Sequence, residues 1–446
     1  MKTQFVKRAY GFRLIGLMMF FSVLCGCKKN DHFTINANDE SGNVLFDWYK
    51  LQLQMLLHAN PATNNSANIN NFGYIGVGLY EAVRNGIKGS ISLSTQLYQM
   101  PDMPATENGQ SYLWAESANA AIASMIRSLY IGLTDANKAS IDSLENAYND
   151  KLALLTNSAT FDRSKAFGRS IATAIFGWSK SDNFILSNAG YVPPVFPGAW
   201  EPTYPAFAGA VTPFVKDARP FLQSDLTATA PPLPFAYSED PNSDFYAMVK
   251  EVYDVSKVLT DEQKTIALFW FDTGVDRGFT PAGHIESVVT QALENNRADL
   301  GRAAIIYAKT GIACRDALIT LWKIKFYYNL VRPITYIRKF IDPNWVSLIT
   351  TPPHPEYPSA HAYITSSVMQ VLTRELGDNQ PISDNTYTFL GFAPRYYSSF
   401  NDLVEEVSIS RVYAGIHYKN SIIVGKTLGK KIGDKAADIS VTAFKY

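Results

Sequence analysis

The sequence predicts an all-α fold built from packed helical bundles. Three observations carry that prediction. Apolar residues recur with a helical period through most of the chain, alternating strand patterns are scarce, and the one long interruption is a proline-rich aromatic tract. The 446 residues are 47% apolar and 13% aromatic, enough to bury large cores and too much for a disordered chain. Forty basic and forty acidic side chains cancel to zero net charge. That balance excludes a protein working by bulk attraction to nucleic acid or anionic lipid, and still leaves room for a small anion pocket.

Along the chain, Lys2, Lys7, Arg8 and Arg13 precede a short apolar run, Leu14–Leu24. A basic front with a short greasy middle marks residues 1–26 as a secretory signal rather than a spanning helix. It ends Leu24-Cys25-Gly26-Cys27, which resembles a lipobox. Cys27 is the expected lipidation site; the alternative is an ordinary signal peptide with two incidental cysteines. On the first reading the mature protein is exported and lipid-anchored to a bacterial membrane, facing the periplasm or the cell surface, with the anchor as its only membrane contact. Cys314 sits in an apolar helical pattern and is expected to be a buried, inert thiol.

Residues 27–43 are polar and patternless, the texture of a tether. Residues 44–235 form the N-terminal half. Helical periods run through residues 45–57, 72–87, 111–130, 135–157 and 162–182. Ten prolines between Pro193 and Pro234 then forbid regular helix or sheet. The same stretch carries Tyr191, Phe196, Trp200, Tyr204, Phe207, Phe214 and Phe221, too aromatic for a free linker. It is expected to be an extended strap packed on the helices. Residues 236–446 form the C-terminal half, helical from about Ser243 and over residues 260–274, 281–295, 299–329, 359–376, 400–413 and 421–437.

Chemistry concentrates in three segments of that second half. Lys325 and Arg332 are seven residues apart, which on a continuous helix gives them one face to within about 20°. Pro333 is expected to end or kink that helix. The second segment is His354-Pro-Glu-Tyr-Pro358-Ser359-Ala360-His361. A helix beginning at Ser359 would offer unpaired N–H groups and positive dipole character to an anion, unless Ser359 is an ordinary N-cap. In the third, Arg411 and His417 would diverge by about 120° on a continuous helix, and a break at Gly415 would let them converge. Together the segments supply what a tetrahedral oxyanion needs: cationic donors, a backbone cradle and one nucleophile or ligand. His361 adds an acid/base with a near-neutral reference pKa.

The ordered pattern Lys-x6-Arg-Pro, Pro-Ser-Ala-His, Ser-Arg-x5-His resembles the signature of the vanadium haloperoxidase and type 2 phosphatidic acid phosphatase superfamily. Gly198-Ala-Trp200-Glu-Pro202, Arg219-Pro-Phe221, Asp261-Glu-Gln263 and Phe269-Trp270 resemble upstream landmarks of its bacterial haloperoxidase-like members. The resemblance implies helical bundles of that type and a vanadate cofactor. Lys325, Arg332, Ser359, the Ala360 N–H and Arg411 would bind the equatorial oxygens, and His417 would be the vanadium ligand. His361 would be the acid/base, and Trp322 and His354 pocket-wall residues. A histidine at the position of His354 is frequent in bromide-using members, so bromide is the expected halide, with peroxide as co-substrate. Two departures stand out. Ala360 replaces the usual glycine, a strain if that residue needs a positive φ. Ser421 stands where an acid commonly orients the last histidine, with Glu405 or Glu406 as possible substitutes.

Two other functions compete. The same pocket suits an acid phosphatase acting on a phosphate ester through a phosphohistidine at His417, with no vanadate. A non-catalytic, glycan-binding surface lipoprotein would share the helical, aromatic composition but has no use for the ordered motifs. Other signals are weaker. Asp240 to Glu251 echoes a calcium loop but carries Phe245 where the turn glycine belongs, so a capped helix start is expected. His284 is expected to be a capping or packing histidine.

Overall fold

Helix α9 (Leu300–Tyr328), 29 residues long, is the axis on which the other elements are arranged. Its sequence is apolar nearly all round, and it is buried along most of its length. The computed structural model describes residues 36–57, 64–227, 230–272 and 278–443. The expected signal segment, Cys27 and the first part of the expected tether lie outside the described residues.

Five helices precede the strap: α1 (Asn43–Leu57), α2 (Asn65–Val83), α3 (Trp114–Leu129), α4 (Asp135–Ala153) and α5 (Ser158–Ser179). Eight follow it: α6 (Asp244–Lys257), α7 (Asp261–Phe269), α8 (Pro281–Asn295), α9, α10 (Pro333–Phe340), α11 (Ala360–Leu376), α12 (Phe400–Tyr413) and α13 (Lys419–Ala437). Starts follow local chemistry. Thr260 and Gln263 form a reciprocal capping box on α7, Ser243 caps α6, and Thr280 caps α8 with Pro281 at its first position. The capped start of α6 is the reading expected over a calcium loop. Helices of the two expected halves interleave: α2 lies along α9, which also carries α11, and α13 packs on α11. Cys314 is buried within α9, as expected.

Residues 36–42, expected to belong to the tether, are docked instead. Helix α3 has no capping side chain of its own. The Glu40 carboxylate takes that place, accepting from the Trp114 and Ala115 N–H groups at 2.9 and 2.8 Å. A polar sequence with no periodicity gives no sign of such a remote cap. Helix α10 was not expected either. Pro333 does not end a helix; it starts one, in the position where its missing N–H costs nothing.

The proline-rich stretch is an extended strap, as expected, with only short 3-10 turns. It grips the segments that carry the motifs. Trp200 N donates to Asn329 O, Val331 N to Gly198 O and Val211 N to Pro353 O. Further on, Phe221 N and Leu222 N both donate to the buried Asp316 carboxylate of α9 at 2.7 Å. The strands β1 (Ile382–Asp384) and β2 (Arg395–Tyr397) form a short antiparallel pair, with Asp384 opposite Arg395.

Candidate active site

Lys325 lies in the last turn of α9, and Arg332 is the N-cap of α10. They do not share a helix face. Asn329 adopts a left-handed conformation (φ +45°) that ends α9, and the chain turns back before Pro333. The two cations converge through this break, not through helical periodicity. Both side chains are fully buried. Lys325 Nζ donates to Pro355 O (2.8 Å) and Glu356 O (2.9 Å). Arg332 donates to His354 O, His354 Nδ1 and Ile416 O, and through Nη1 to His417 Nε2 at 3.2 Å.

Ser359 stands at the N-cap of α11, but its hydroxyl caps nothing. Ser359 Oγ is buried with no hydrogen-bond partner among the described residues, so it is not an ordinary cap. Ala360 is absent from the positive-φ residues, so alanine is unstrained there and its N–H survives. A glycine face on α13 lets α11 come close. A Cβ on Gly429 would sit 2.0 Å from Tyr363 O, so only glycine permits this crossing.

Arg411 lies in the last turn of α12 and His417 just beyond it. Gly415 (φ +77°) supplies the expected break that turns His417 back toward the pocket. A Cβ there would lie 3.1 Å from two ring atoms of Trp345. Gly415→Ala is expected to cost about 1–2 kcal/mol from the left-handed backbone alone. Anion affinity should fall as well, because His417 is two residues away. Denaturant unfolding beside a phosphate titration checks both effects.

Trp322, His354, Ala360, His361, Arg411 and His417 line one cavity of about 390 Å³, and Lys325, Arg332 and Ser359 are buried beside it. Val211 from the strap, Phe271, Pro281, Ile285 and Ile364 give it a largely apolar wall. The Trp322 and His354 rings are 5.2 Å apart on that wall. The cationic groups crowd one another. Burial and Arg332 push Lys325 well below its ordinary pKa, while Glu356 pulls the other way. Burial lowers Arg332 and Arg411 to about 10. Burial, with Arg332, Lys325 and Arg411, holds His417 well below the ordinary imidazole range. Arg411 Nε, like Ser359 Oγ, is buried and unpartnered among the described residues, although another Arg411 nitrogen donates to Trp270 O. The indole N–H of Trp322 on the cavity wall is likewise unpartnered, and a cavity with buried basic groups and such unused donors is complementary to a small oxyanion.

The acid that orients His417 is Glu356. Its Oε1 is 2.8 Å from His417 Nδ1 and accepts from Tyr418 N, and its Oε2 accepts from Ser421 Oγ at 2.6 Å. Glu405 and Glu406 do not substitute. Glu405 pairs with Lys426, while Glu406 pairs with Arg395 and accepts from Tyr397 and the Trp270 indole. Ser421 thus buttresses the acid. With Nδ1–H given to Glu356, the lone pair of His417 is on Nε2.

Asp272 gave no signal in the sequence. Just beyond α7 and in a left-handed conformation (φ +46°), it contacts His361 Nε2 through Oδ2 at 3.2 Å. Its Oδ1 takes His284 Nδ1 at 2.8 Å and the Tyr387 hydroxyl. His284 packs, as expected, its ring stacked on Trp270, but it also joins two carboxylates, for its Nε2 is 2.8 Å from Asp384 Oδ2.

The chain matches the VCPO second helical-bundle domain family over residues 305–445, the stretch containing all three motifs. It is similar to the vanadium chloroperoxidase of Curvularia inaequalis, with 27% identity over 28% of this chain. That match spans 29% of the relative's length. Among solved structures, a bacterial vanadium-dependent iodoperoxidase superposes with a TM-score of 0.80 at 30% identity, covering 90% of this chain and 96% of the other. A holo-type bacterial vanadium-dependent chloroperoxidase shares the fold at a TM-score of 0.65 and 16% identity, covering 86% of this chain and 95% of that one.

Proposed function

The chain belongs to the vanadium haloperoxidase family, and on that premise we propose that it oxidises a halide with hydrogen peroxide at a vanadate held in this cavity. One observation carries the reading: the buried basic groups of Lys325, Arg332 and Arg411 and the unused donors Ser359 Oγ and Arg411 Nε gather around His417, whose Nε2 faces Arg332.

In this proposal His417, oriented by Glu356, would hold the vanadium through Nε2. Arg332, Arg411 and Lys325 offset charge on the oxygens, and Ser359 Oγ and the Ala360 N–H complete the cradle. Bound vanadate supplies the Lewis acidity that lets peroxide act as an oxygen donor to halide. An oxyanion beside Lys325 would also restore the charge that burial disfavours. His361 moves protons through Nδ1, because Nε2 is engaged by Asp272. Trp322 and His354 shape the approach of the halide. We place bromide first on account of His354, with iodide beside it because of the iodoperoxidase relative. Export and lipid anchoring through Cys27 belong to the same proposal, and mass spectrometry of the mature N-terminus tests them.

A histidine oriented by an acid also suits phosphoryl transfer, which keeps the phosphatase as a second reading. The full chain, stripped of metal, separates the two. Bromide or iodide oxidation that appears only after vanadate is added supports the haloperoxidase. Hydrolysis of p-nitrophenyl phosphate without vanadate, inhibited when vanadate is added, would overturn it in favour of the phosphatase.

A further inference from the structure

A buried chain of side chains runs from the cavity into the core: His361, Asp272, His284, Asp384. Each link is a hydrogen bond of 2.8 to 3.2 Å. His284, Asp272 and Asp384 are all but inaccessible to solvent. Each element contributes one member. His361 starts α11, Asp272 follows α7, His284 lies in the first turn of α8, and Asp384 ends β1. The Trp270 ring stacks on His284 with centroids 4.2 Å apart and planes 17° apart, and the Trp270 carbonyl accepts from Arg411.

The geometry fixes the protonation of His284. Both ring nitrogens face carboxylate oxygens, which only accept, and only an imidazolium has two N–H donors. The stacked indole also favours a cation. Burial alone would depress the imidazolium, but Asp272 and Asp384 raise it to about 10. Asp272 is held low, because burial is outweighed by His284 and His361. A carboxylate facing one histidine alone would draw a proton onto it. Asp272 faces two, and the second already carries a charge.

We infer that His284 is a positioning residue, a permanent buried cation that takes up much of the Asp272 charge and keeps His361 a neutral imidazole with Nδ1 free toward the cavity. The charged and titratable groups facing His361 are Arg411 from α12, Asp272, His284 and, across the cavity, His354. Burial and Arg411 lower His361 to about 4, and His284 acts in the same direction, whereas Asp272 opposes them. Facing His284 are Asp272, Asp384 and, through Asp272, Tyr387. Asp384 is thereby tied to the site, since it holds the second proton on His284. The role of a neutral His361 in proton transfer rests on the function proposed above; the charge state of the chain does not.

Nitrogen-15 NMR of the histidines in the metal-free full chain tests this without any turnover, with His361→Asn used only for assignment. In the wild type, one histidine is expected to keep both ring nitrogens protonated at about pH 8.5, well above the ordinary value near 6.5. A spectrum in which every histidine is neutral at that pH overturns the inference. In His284→Gln and in Asp384→Asn, the titration of His361 should move up by about one pH unit or more. A purely structural role would lower the melting temperature and leave that titration where it was. Asp384→Asn keeps every group that touches the cavity, so an unmoved His361 in that folded variant also overturns it. In the vanadate-loaded enzyme, the acid limb of kcat/KM should move up with the NMR value. A shift in the NMR titration without any peroxidase activity would count against the proposed function and leave His284 in its place.

Discussion

Replacing His417 with alanine is expected to abolish vanadate binding and lower halide oxidation on the order of 10³-fold or more, with the protein still folded. The His417 imidazole presents Nε2 beside Arg332, and its other nitrogen is fixed by the Glu356 carboxylate. Removing it leaves Arg332, Arg411 and the N–H and O–H groups of the cradle, with no acid-oriented imidazole among them. Those can attract an oxyanion but cannot coordinate its central atom. The fold should persist because Arg332 keeps its bonds to His354 O and Ile416 O, and Tyr418 N still reaches Glu356. Vanadate uptake by equilibrium dialysis, with circular dichroism as the check on folding, reads both effects. A variant that retains vanadate at wild-type affinity would remove His417 from the role proposed for it.

Glu356→Gln is expected to lower vanadate affinity about 10–100-fold, the usual scale for losing the partner that orients a metal-ligating histidine. A carboxylate at this point accepts from three donors: His417 Nδ1, Tyr418 N and Ser421 Oγ. An amide can accept through only one end, so either Ser421 or the His417–Tyr418 pair, which share one oxygen, loses its match. If the NH₂ end faces Nδ1, the histidine adopts the other tautomer and its lone pair leaves the cavity. Glu356→Ala should be harsher, because the buried Lys325 and Arg332 would lose the carboxylate whose charge favours both. Removing one partner from such a buried charge group costs about 3–5 kcal/mol. A denaturant midpoint near that of the wild type for Glu356→Ala would contradict this.

Helix content was legible in the sequence because apolar periodicity and proline punctuation are local signals. The strap was legible for the same reason. The three motifs were legible as a set because their residue types are costly to bury without a purpose; His361, Arg411 and His417 line one cavity, and Lys325, Arg332 and Ser359 are buried beside it. How they gather was less legible. A seven-residue spacing suggested a shared helix face for Lys325 and Arg332, while Asn329 in a left-handed turn breaks that helix. Pro333 carried both meanings, a stop and a start, and the start prevailed.

What the sequence hid was the shell behind the cavity. Glu356 was in plain view inside the second motif, but its partner is 61 residues away and no spacing rule links them. Glu405 and Glu406 are near Ser421 along the chain, whereas the acid that reaches both Ser421 and His417 comes from across the fold. Asp272 and Asp384 are ordinary aspartates near a helix end and on a short strand. Their meaning comes only from His284 between them. Position His284 four residues after Thr280, in the first turn of α8, and a capping or packing role is the natural reading. The ring does pack, on Trp270, and tertiary placement adds a carboxylate at each nitrogen.

Titration of vanadate into the metal-free, full-length protein, followed by calorimetry, bears most directly on the claim that these buried groups form one oxyanion site. The expected result is one vanadate per chain, displaced competitively by phosphate and lost in both His417→Ala and Arg332→Ala. Absence of saturable binding, or binding that survives both substitutions unchanged, would contradict it.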